Sequence, residues 1–463
     1  MVAREIIEYR QSHARTHTAL TNVVRAFQQF LKLPTLVLLA FLALAVVSYL
    51  VDKSQVGWLR LPRDFMAAHI FSDPQQTASL LSSVAGSLIT VTSITFSILL
   101  LAVQQSAATM THQVIDQFLR RKLNQVIFGF FVGLALYALI VQATVNPPFD
   151  PVVGATLVLI FTGIALTLLL VLIYTTIDQM RPPVIVSGIR DLTLAARDRQ
   201  HGLLAKTRAA LPDSLRLPLR VVTADSGFLS SVDIDAILDA MIAAPAPVEI
   251  EFAVSIGAFL TVGDTVARLG STDDAGARQV GEALVRAIRI EHGRDLTSDP
   301  SYGIEQLRTI AWTTISTSKQ NPAVAVTVVQ ALRDLLARWQ QSAPSRERAL
   351  TSPVAYADAV DEHLFLALEQ LAGISSKSDQ SMTYAALLDT IADMIDRGPE
   401  PWQERLLAVL GRILPLLPNF TLTANLEQSV TQLQQTLGSH GLATAAESVG
   451  HWYAELAGRE RRR

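Results

Sequence analysis

Four long segments without a charged residue constrain this chain more than any other feature. They cover residues 33–51, 79–110, 126–145 and 152–177, with lengths of 19, 32, 20 and 26 residues. A helix needs about 20 apolar residues to cross the hydrocarbon core of a bilayer. Open strands cannot satisfy their backbone hydrogen bonds in lipid. The sequence therefore predicts a transmembrane domain of four helices within residues 33–180.

Charged residues are concentrated outside this region. The 463-residue chain has 38 Lys and Arg and 41 Asp and Glu, but only 11 and 8 of them lie up to Met180. From Arg181 onward the charge content is that of a soluble domain. The chain has no cysteine, which excludes disulfides and thiolate ligands. A net charge of −3 gives no general footprint for nucleic acid, so we expect no nucleic-acid partner.

The distribution of Lys and Arg predicts the orientation of the spans. Five of these residues precede the first span, and the second connection carries Arg120, Arg121 and Lys122, whereas the third connection has none. The first apolar run begins only after residue 32, unlike that of a cleaved signal peptide, so we expect a retained anchor. Both termini are predicted to face the cytoplasm.

The second apolar segment is rich in hydroxyl side chains, since ten of the 29 residues from Ser79 to Ala107 are Ser or Thr. On a seven-residue repeat, small and polar residues form one stripe. This polar stripe comprises Ser83, Gly86, Thr90, Ser93, Ser97, Leu100 and Gln104. It suits tight packing against another helix. It also suits a pore wall in which Leu100 forms a constriction. Neither interpretation turns the stripe toward lipid.

The beginning of this second span is marked by Asp73, Pro74 and Gln76, which fit an N-cap, a first helical position and a capping box. A helix from Pro74 to Met110 is about 55 Å long at 1.5 Å per residue, well beyond a hydrocarbon core of about 30 Å. We therefore expect it to tilt or to project out of the bilayer.

Two further motifs lie near the third span. Gly129 and Gly133, in GFFVG, have the small-xxx-small spacing that lets helices cross closely. The basic elbow QFLRRKLNQ contains Arg120, Arg121 and Lys122. Its cations suit either positive-inside anchoring or the binding of anionic lipid headgroups.

The remaining sequence predicts a mostly α, cytoplasmic α+β region. Residues 1–32 have the pattern of an amphipathic helix, and residues 181–218 form a helical connector after the Arg181–Pro183 break. Alternation and glycine turns predict a small β-rich, barrel-sandwich-like subdomain at 219–270. From 271 to 463 apolar residues recur at spacings of three and four, which indicates helices.

The chain lacks the common catalytic motifs GxxxxGK[ST], GxGxxG, GxSxG and HExxH. His13 and His17 are spaced to share one helix face, but two ligands are too few for a metal site. We therefore predict no metal, no cofactor and no enzymatic activity.

The run LLSSVAGSLITVTSITFSILLLAVQQSA, followed by FLRRKLNQVIFGFFVGLALYALIV, resembles the core of a bacterial family of predicted membrane proteins, domain of unknown function 2254. The resemblance continues through SGFLSSVDIDAILDA, IGAFLTVGDTVARL and SYGIEQLRTIAWTTISTSKQNPAVAV and covers most of residues 20–345. It implies a protein of the bacterial inner membrane and no known activity.

Two departures from the family pattern weaken the case for particular sites. Where the family often has a histidine pair at the end of the fourth span, this chain has Thr175 and Thr176, which argues against metal or proton binding there. An Asn-Asp-Pro pattern of the family appears here as Gln320, Asn321 and Pro322, which removes the acid.

These observations lead to two hypotheses for function. The first is a homo-oligomeric ion channel or pore-like conductor whose second span lines the path. The alternative is a membrane-anchored scaffold or sensor without conduction, in which the polar stripe serves helix packing only.

Overall fold

The structure, a computed structural model, describes most of the chain. The described residues are 6–9, 31–54, 64–66, 69–71, 73–109, 121–147, 149–212, 216–316, 321–341, 351–398 and 400–461. They divide into two compact units. The membrane unit is residues 13–184, and the sheet–helix unit is residues 1–12 together with 185–463.

Among the described residues of the membrane unit, four helices are long and apolar enough to cross a bilayer. They are α1 (Lys32–Ser54), α2 (Pro74–Thr109), α3 (Lys122–Thr144) and α4 (Val152–Gln179). Each helix coincides with a predicted apolar run, and the limits agree to within five residues. The Asp73 carboxylate accepts a hydrogen bond from the backbone N–H of Gln75 at 3.0 Å, which fixes the beginning of α2.

Helices α1 and α3 run parallel and approach closely at two glycines. A Cβ on Gly129 would lie 2.8 Å from the Pro34 Cα, and one on Gly133 would lie 2.5 Å from the Phe41 ring. Gly129 of α3 lies beside Pro34 of α1, and Gly133 lies beside Phe41. Residue numbers therefore increase in the same direction along the two helices. The beginnings of α1 and α3 therefore lie at the same end of the unit.

The sheet–helix unit contains two small sheets. The strands are β1 (Ile6–Tyr9), β2 (Leu219–Thr223), β3 (Gly227–Val232), β4 (Val248–Phe252), β5 (Phe259–Leu260), β6 (Thr265–Ser271), β7 (Ile288–Glu291) and β8 (Val354–Ala355). One sheet has the order β1-β2-β6-β4-β8 and the other β5-β3-β7. Alternate apolar residues such as Val221, Ile250 and Leu269 form a common buried core. Helices α7 (Ile234–Ile242) and α8 (Asp274–Ala287) contribute to it.

Three predictions in this part are wrong. The amphipathic helix predicted for residues 1–32 is wrong at Ile6–Tyr9, which is a strand paired in parallel with β2, whereas residues 1–5 and 10–30 lie outside the described residues. The helical pattern predicted from 271 onward is interrupted after Ala287, because Ile288–Glu291 is a strand that pairs with β3. The boundary of the β-rich subdomain at 270 is also too early, since β1, β7 and β8 come from outside 219–270. In each case pairing with a distant strand determines the local structure.

The predicted connector at 181–218 contains α5 (Pro182–Arg199) and α6 (His201–Ala205). After the sheets come α9 (Pro300–Ser316), α10 (Pro322–Gln341), α11 (Val360–Lys377), α12 (Ser381–Arg397), α13 (Glu400–Ile413), α14 (Ala424–Ser439) and α15 (Ala443–Glu460). Helices α9, α11 and α13 pack successively in one layer, and α10, α12 and α14 pack in a second. This stacking of hairpins resembles an α-solenoid, although the sequence has no strict repeat.

Candidate functional site

The polar stripe faces away from the rest of its own chain. Six of its members are exposed and Leu100 is half-buried. The exposed members are Ser83, Gly86, Thr90, Ser93, Ser97 and Gln104. A Cβ added to Gly86 would meet no atom within 4 Å. Among the described residues, the stripe is therefore not covered by another helix of the same chain.

The opposite face of α2 makes the contacts with the bundle. Thr77, Leu81, Ala85 and Leu88 are buried there. At 3.6 residues per turn they project roughly opposite to the stripe. The four-helix core thus engages α2 through its apolar side and leaves its polar side uncovered.

Several hydroxyls on α2 bond to their own helix. Thr90 Oγ1 donates to the Gly86 carbonyl at 2.8 Å, and Ser97 Oγ donates to the Ser93 carbonyl at 2.9 Å. Such back-bonding satisfies the donor but leaves oxygen lone pairs available. These hydroxyls can therefore face a helix or water without rearrangement.

Aromatic rings fill the interior of the membrane unit. The Phe41 ring lies 5.3 Å from that of Phe130, 5.6 Å from that of Phe161 and 6.1 Å from that of Tyr137. Tyr137 and Leu134 are fully buried. These residues belong to the buried apolar core of the membrane unit.

A groove of about 210 Å³ opens beside the stripe, between α2, α3 and α4. Its apolar lining includes Val84, Leu88, Phe131 and Leu169, and Ser83 lies at its edge. The groove joins the stripe to the neighbouring surface of α4.

The two predicted packing glycines lie where α1 and α3 approach, as described above. The basic elbow is only partly described. Arg120 lies outside the described residues, while Arg121 and Lys122 are exposed. Arg121 is the N-cap of α3 and makes no side-chain hydrogen bond to the first turn.

A buried carboxylate in the membrane unit was not anticipated. Asp52, near the end of α1, is 2% exposed. Its two oxygens accept backbone hydrogen bonds at 3.0 Å from Val153 and Gly154, in the first turn of α4. In the sequence, Asp52 directly follows the first charge-free run. That position suggests a residue at the membrane surface rather than a buried one.

In the sheet–helix unit, Arg197 of α5 forms a buried bidentate ion pair with Asp358. Its Nη1 lies 3.0 Å from Oδ1 and its Nη2 lies 2.5 Å from Oδ2. The guanidinium also lies 5.7 Å from the centre of the Trp339 ring. Burial raises the pKa of the nearby Asp361, and the charge of Asp358 adds to this effect. Arg197 and Asp358 are 161 residues apart, so spacing in the sequence gives no signal for this ion pair.

A second cluster surrounds Arg294. Its Nε donates to Asp299 at 2.7 Å, and its Nη1 donates to Glu305 at 2.5 Å. Asp299 also accepts from the backbone N–H of Tyr302 at 3.1 Å, which caps α9. Burial, followed by the charge of Arg294, lowers the pKa of His363. These internal pairings give the cluster a structural role in holding the beginning of α9.

The two threonines at the end of the fourth span bond to their own helix. Thr175 and Thr176 donate to the Leu172 carbonyl at 3.1 and 2.7 Å. Gln320, His13 and His17 lie outside the described residues. The described part of the chain contains no group of three or more His, Cys, Asp or Glu residues placed to hold a metal ion.

The comparison with protein families agrees with the four membrane helices. A family model described as "Predicted membrane protein (DUF2254)" matches residues 28–372. The chain belongs to this family. The match covers all four spans and strands β2 to β8 and ends within α11, so β1 and helices α12 to α15 lie outside it.

Similar proteins occur in mycobacteria. The uncharacterized proteins Rv1290c of Mycobacterium tuberculosis and Mb1321c of Mycobacterium bovis are each 25% identical over 272 residues, or 56% of this chain. The aligned region is 51% of each relative, so the chain spans about half the length of these proteins. No solved structure matches the chain.

Proposed function

We propose that this DUF2254 protein is a homo-oligomeric ion channel or pore-like conductor whose path is lined by α2. Ser83, Thr90, Ser93, Ser97 and Gln104 face the path in this proposal, and Leu100 constricts it. The sheet–helix unit assembles or gates the oligomer, and the chain has no enzymatic activity.

The outward exposure of the polar stripe carries this proposal. A stripe of hydroxyl, glycine and amide groups gains little from contact with hydrocarbon. Packed aromatic rings occupy the described core of the membrane unit, which favours a path between copies. Several copies arranged with α2 inward would cover the stripe and supply water-facing hydroxyls.

The proposed location is the bacterial inner membrane, with both termini in the cytoplasm. The Lys and Arg bias supports this orientation. The pairing of β1 with β2 supports an even number of crossings, since it joins chain from before and after the spans in one sheet. The proposed partners are the lipid bilayer and further copies of the chain, and nucleic acid is not among them.

Ion flux from liposomes tests the proposal. The full-length protein should release ions faster than empty vesicles. Leu100→Ala should increase the flux by widening the constriction, and Ser93→Leu should reduce it by placing an apolar side chain in the path. Ile98→Ala and Ser87→Leu serve as matched controls, because both residues are exposed on α2 outside the stripe.

Two results would contradict conduction. One is a flux equal to that of empty vesicles across several ions and voltages. The other is a change of the same size in the stripe variants and in their controls. A strictly monomeric protein in mild detergent would also exclude a path formed between copies.

The alternative function is a membrane-anchored scaffold or sensor, in which the stripe packs against another copy without conduction. The back-bonded hydroxyls of Thr90 and Ser97 favour this alternative, because they do not require water. An oligomer that is disrupted by Ser93→Leu, and whose native form conducts no ions, would support it.

A further inference from the structure

The groove between α2, α3 and α4 is closed on one side and open on the other. Its floor contains Leu88 of α2, Phe131 of α3 and Ala165 of α4, which are all buried. Its rim includes Ser87 of α2 and Leu166 of α4, whose side chains are exposed. The groove therefore opens toward whatever surrounds the membrane unit.

The groove is narrow along its whole length. On α2 its lining extends from Ser83 to Val91, which is eight residues or about 12 Å at the rise of a helix. A volume of about 210 Å³ over this length gives a mean cross-section of about 18 Å². A helix with its side chains is about 10–12 Å wide, so its cross-section is about 80 Å² or more. One extended hydrocarbon chain can therefore enter the groove, whereas a second helix cannot.

The lining of the groove suits an apolar occupant. Apart from Ser83, Ser87 and Thr162, its side chains are all apolar. Ser83 and Ser87 lie at the exposed rim, and Thr162 Oγ1 already donates to the Val158 carbonyl of its own helix at 2.7 Å. A hydrocarbon chain would thus displace no hydrogen bond of Thr162. It would also supply the dispersion contacts that the lining of an unfilled groove lacks on its open side.

The surface of α4 beside the groove indicates where the occupant comes from. Of the four candidate spans α4 is the most apolar, and little of it is buried. Leu166, Leu170 and Ile173 follow one another at helical spacing on the rim side and are exposed. Helices that pack closely in membranes use small residues at such positions. Bulky aliphatic side chains on a membrane helix indicate instead a surface that faces acyl chains.

We infer that this groove binds one acyl chain of a membrane phospholipid, which lies along α2 and α4 beside the polar stripe. The bilayer supplies such chains at the depth of all four helices. The inference rests on the placement of these helices in a bilayer and not on conduction, so an absence of ion flux would leave it unaffected.

Photolabelling of the full-length protein tests this inference. The protein would be purified in mild detergent from vesicles that contain a phosphatidylethanolamine with a diazirine halfway along one acyl chain. After purification, only lipid that stays bound can label the chain, and peptide mass spectrometry would locate the label. We expect the label near Val91 of α2 and Leu166 of α4. We expect little label near Leu39 of α1, although Leu39 and Leu166 are similarly exposed.

A side chain that fills the groove should remove the bound lipid. Ser87→Phe should reduce the label by about fivefold or more, since an aromatic ring takes the space of the chain and protein interiors have little room to spare. Ser82→Phe is the matched control, because Ser82 is exposed on the same helix outside the groove. This control should keep the native label.

Two variants of Thr162 test the opposite wall. Thr162→Phe fills the groove from α4 and reports on the site if Ser87→Phe fails to fold. Thr162→Val keeps the shape of the side chain and removes only a hydroxyl that is bonded to its own helix. We expect the first variant to lose the label and the second to keep it.

Several results would overturn the inference. These are a native chain that retains no label, label that follows exposure over all four helices, native labelling of both groove-filling variants, and an equal loss in Ser82→Phe. A native chain without label whose oligomer is disrupted by Ser87→Phe would show that side chains of a second copy fill the groove instead.

Discussion

The Asp52 carboxylate joins the end of α1 to the beginning of α4. Its two backbone hydrogen bonds satisfy N–H groups that have no partner within α4 itself. A negative charge is also favourable at a helix N-terminus. One side chain thus supplies hydrogen bonding and charge compensation between the first and fourth spans.

We expect Asp52→Ala to destabilise the membrane unit by about 1–3 kcal/mol, because two buried N–H groups lose their acceptors. Thermal unfolding in detergent would measure the change. Asp178→Asn is the matched control at the other end of α4, where the ion pair with Arg181 is exposed and contributes about 1 kcal/mol or less. Equal melting temperatures for Asp52→Ala and the native chain would contradict the assigned role.

The raised pKa of Asp361 predicts a pH-dependent effect on stability. The folded state binds this proton more tightly than the unfolded state, so the contribution to stability is present at low pH and is lost as pH rises through the folded pKa. Asp361→Asn imitates the protonated form. We therefore expect this variant to be more stable than the native chain at pH 7 and to lose its advantage below about pH 4.

Denaturant unfolding at several pH values would measure this difference. The control is Glu362→Gln, which removes an exposed acid from the same first turn of α11. An equal gain from both variants at pH 7 would show that the helix end, rather than the burial of Asp361, causes the effect.

Among the elements, the pair of α1 and α3 depends on its glycines. A Cβ at Gly133 would overlap the Phe41 ring, which packs against three other aromatic rings and has little room to move. We expect Gly133→Ala to destabilise the unit by about 1–3 kcal/mol through overpacking.

Gly163→Ala is the corresponding control in α4, since nothing lies within 4 Å of its added Cβ. This change should be neutral or stabilising by up to about 1 kcal/mol, because alanine favours the helix. The same melting measurements apply. A loss of equal size in both variants would indicate that glycine flexibility matters more than the close contact.

For the whole molecule, the pairing of β1 with β2 links residues on either side of the four spans. The chain has no natural cysteine, so any disulfide that forms must join introduced cysteines. Ile6 is the Cα partner of Arg220, and adjacent strands are about 4.8 Å apart, within the range for a disulfide. We expect Ile6→Cys with Arg220→Cys to form an intramolecular disulfide under mild oxidation.

The control pair is Ile6→Cys with Arg268→Cys. Arg268 is the Cα partner of Arg220 on the next strand, so it lies about 9.6 Å from β1, too far for a disulfide. Non-reducing electrophoresis after site-specific proteolysis would detect the link. Equal disulfide yields from both pairs, or no disulfide from Ile6→Cys with Arg220→Cys, would contradict the pairing of β1 with β2. Either result would also contradict the placement of the segments before and after the four spans on the same side of the membrane.

The sequence by itself determined the number and approximate limits of the membrane helices, because length and freedom from charge directly control the cost of placing a segment in lipid. It also determined local features, such as the Asp73 cap and the close approach allowed by Gly129 and Gly133. These features depend on residues a few positions apart in one helix.

Tertiary structure alone decided which faces and charges meet. It turned the polar stripe outward, placed Asp52 against the beginning of α4 and paired Arg197 with Asp358. It also made a strand of Ile288–Glu291, which by its local pattern would continue a helix. The reason is physical: local periodicity selects the helix or strand, whereas contacts between distant residues select its neighbours and can override a weak local preference.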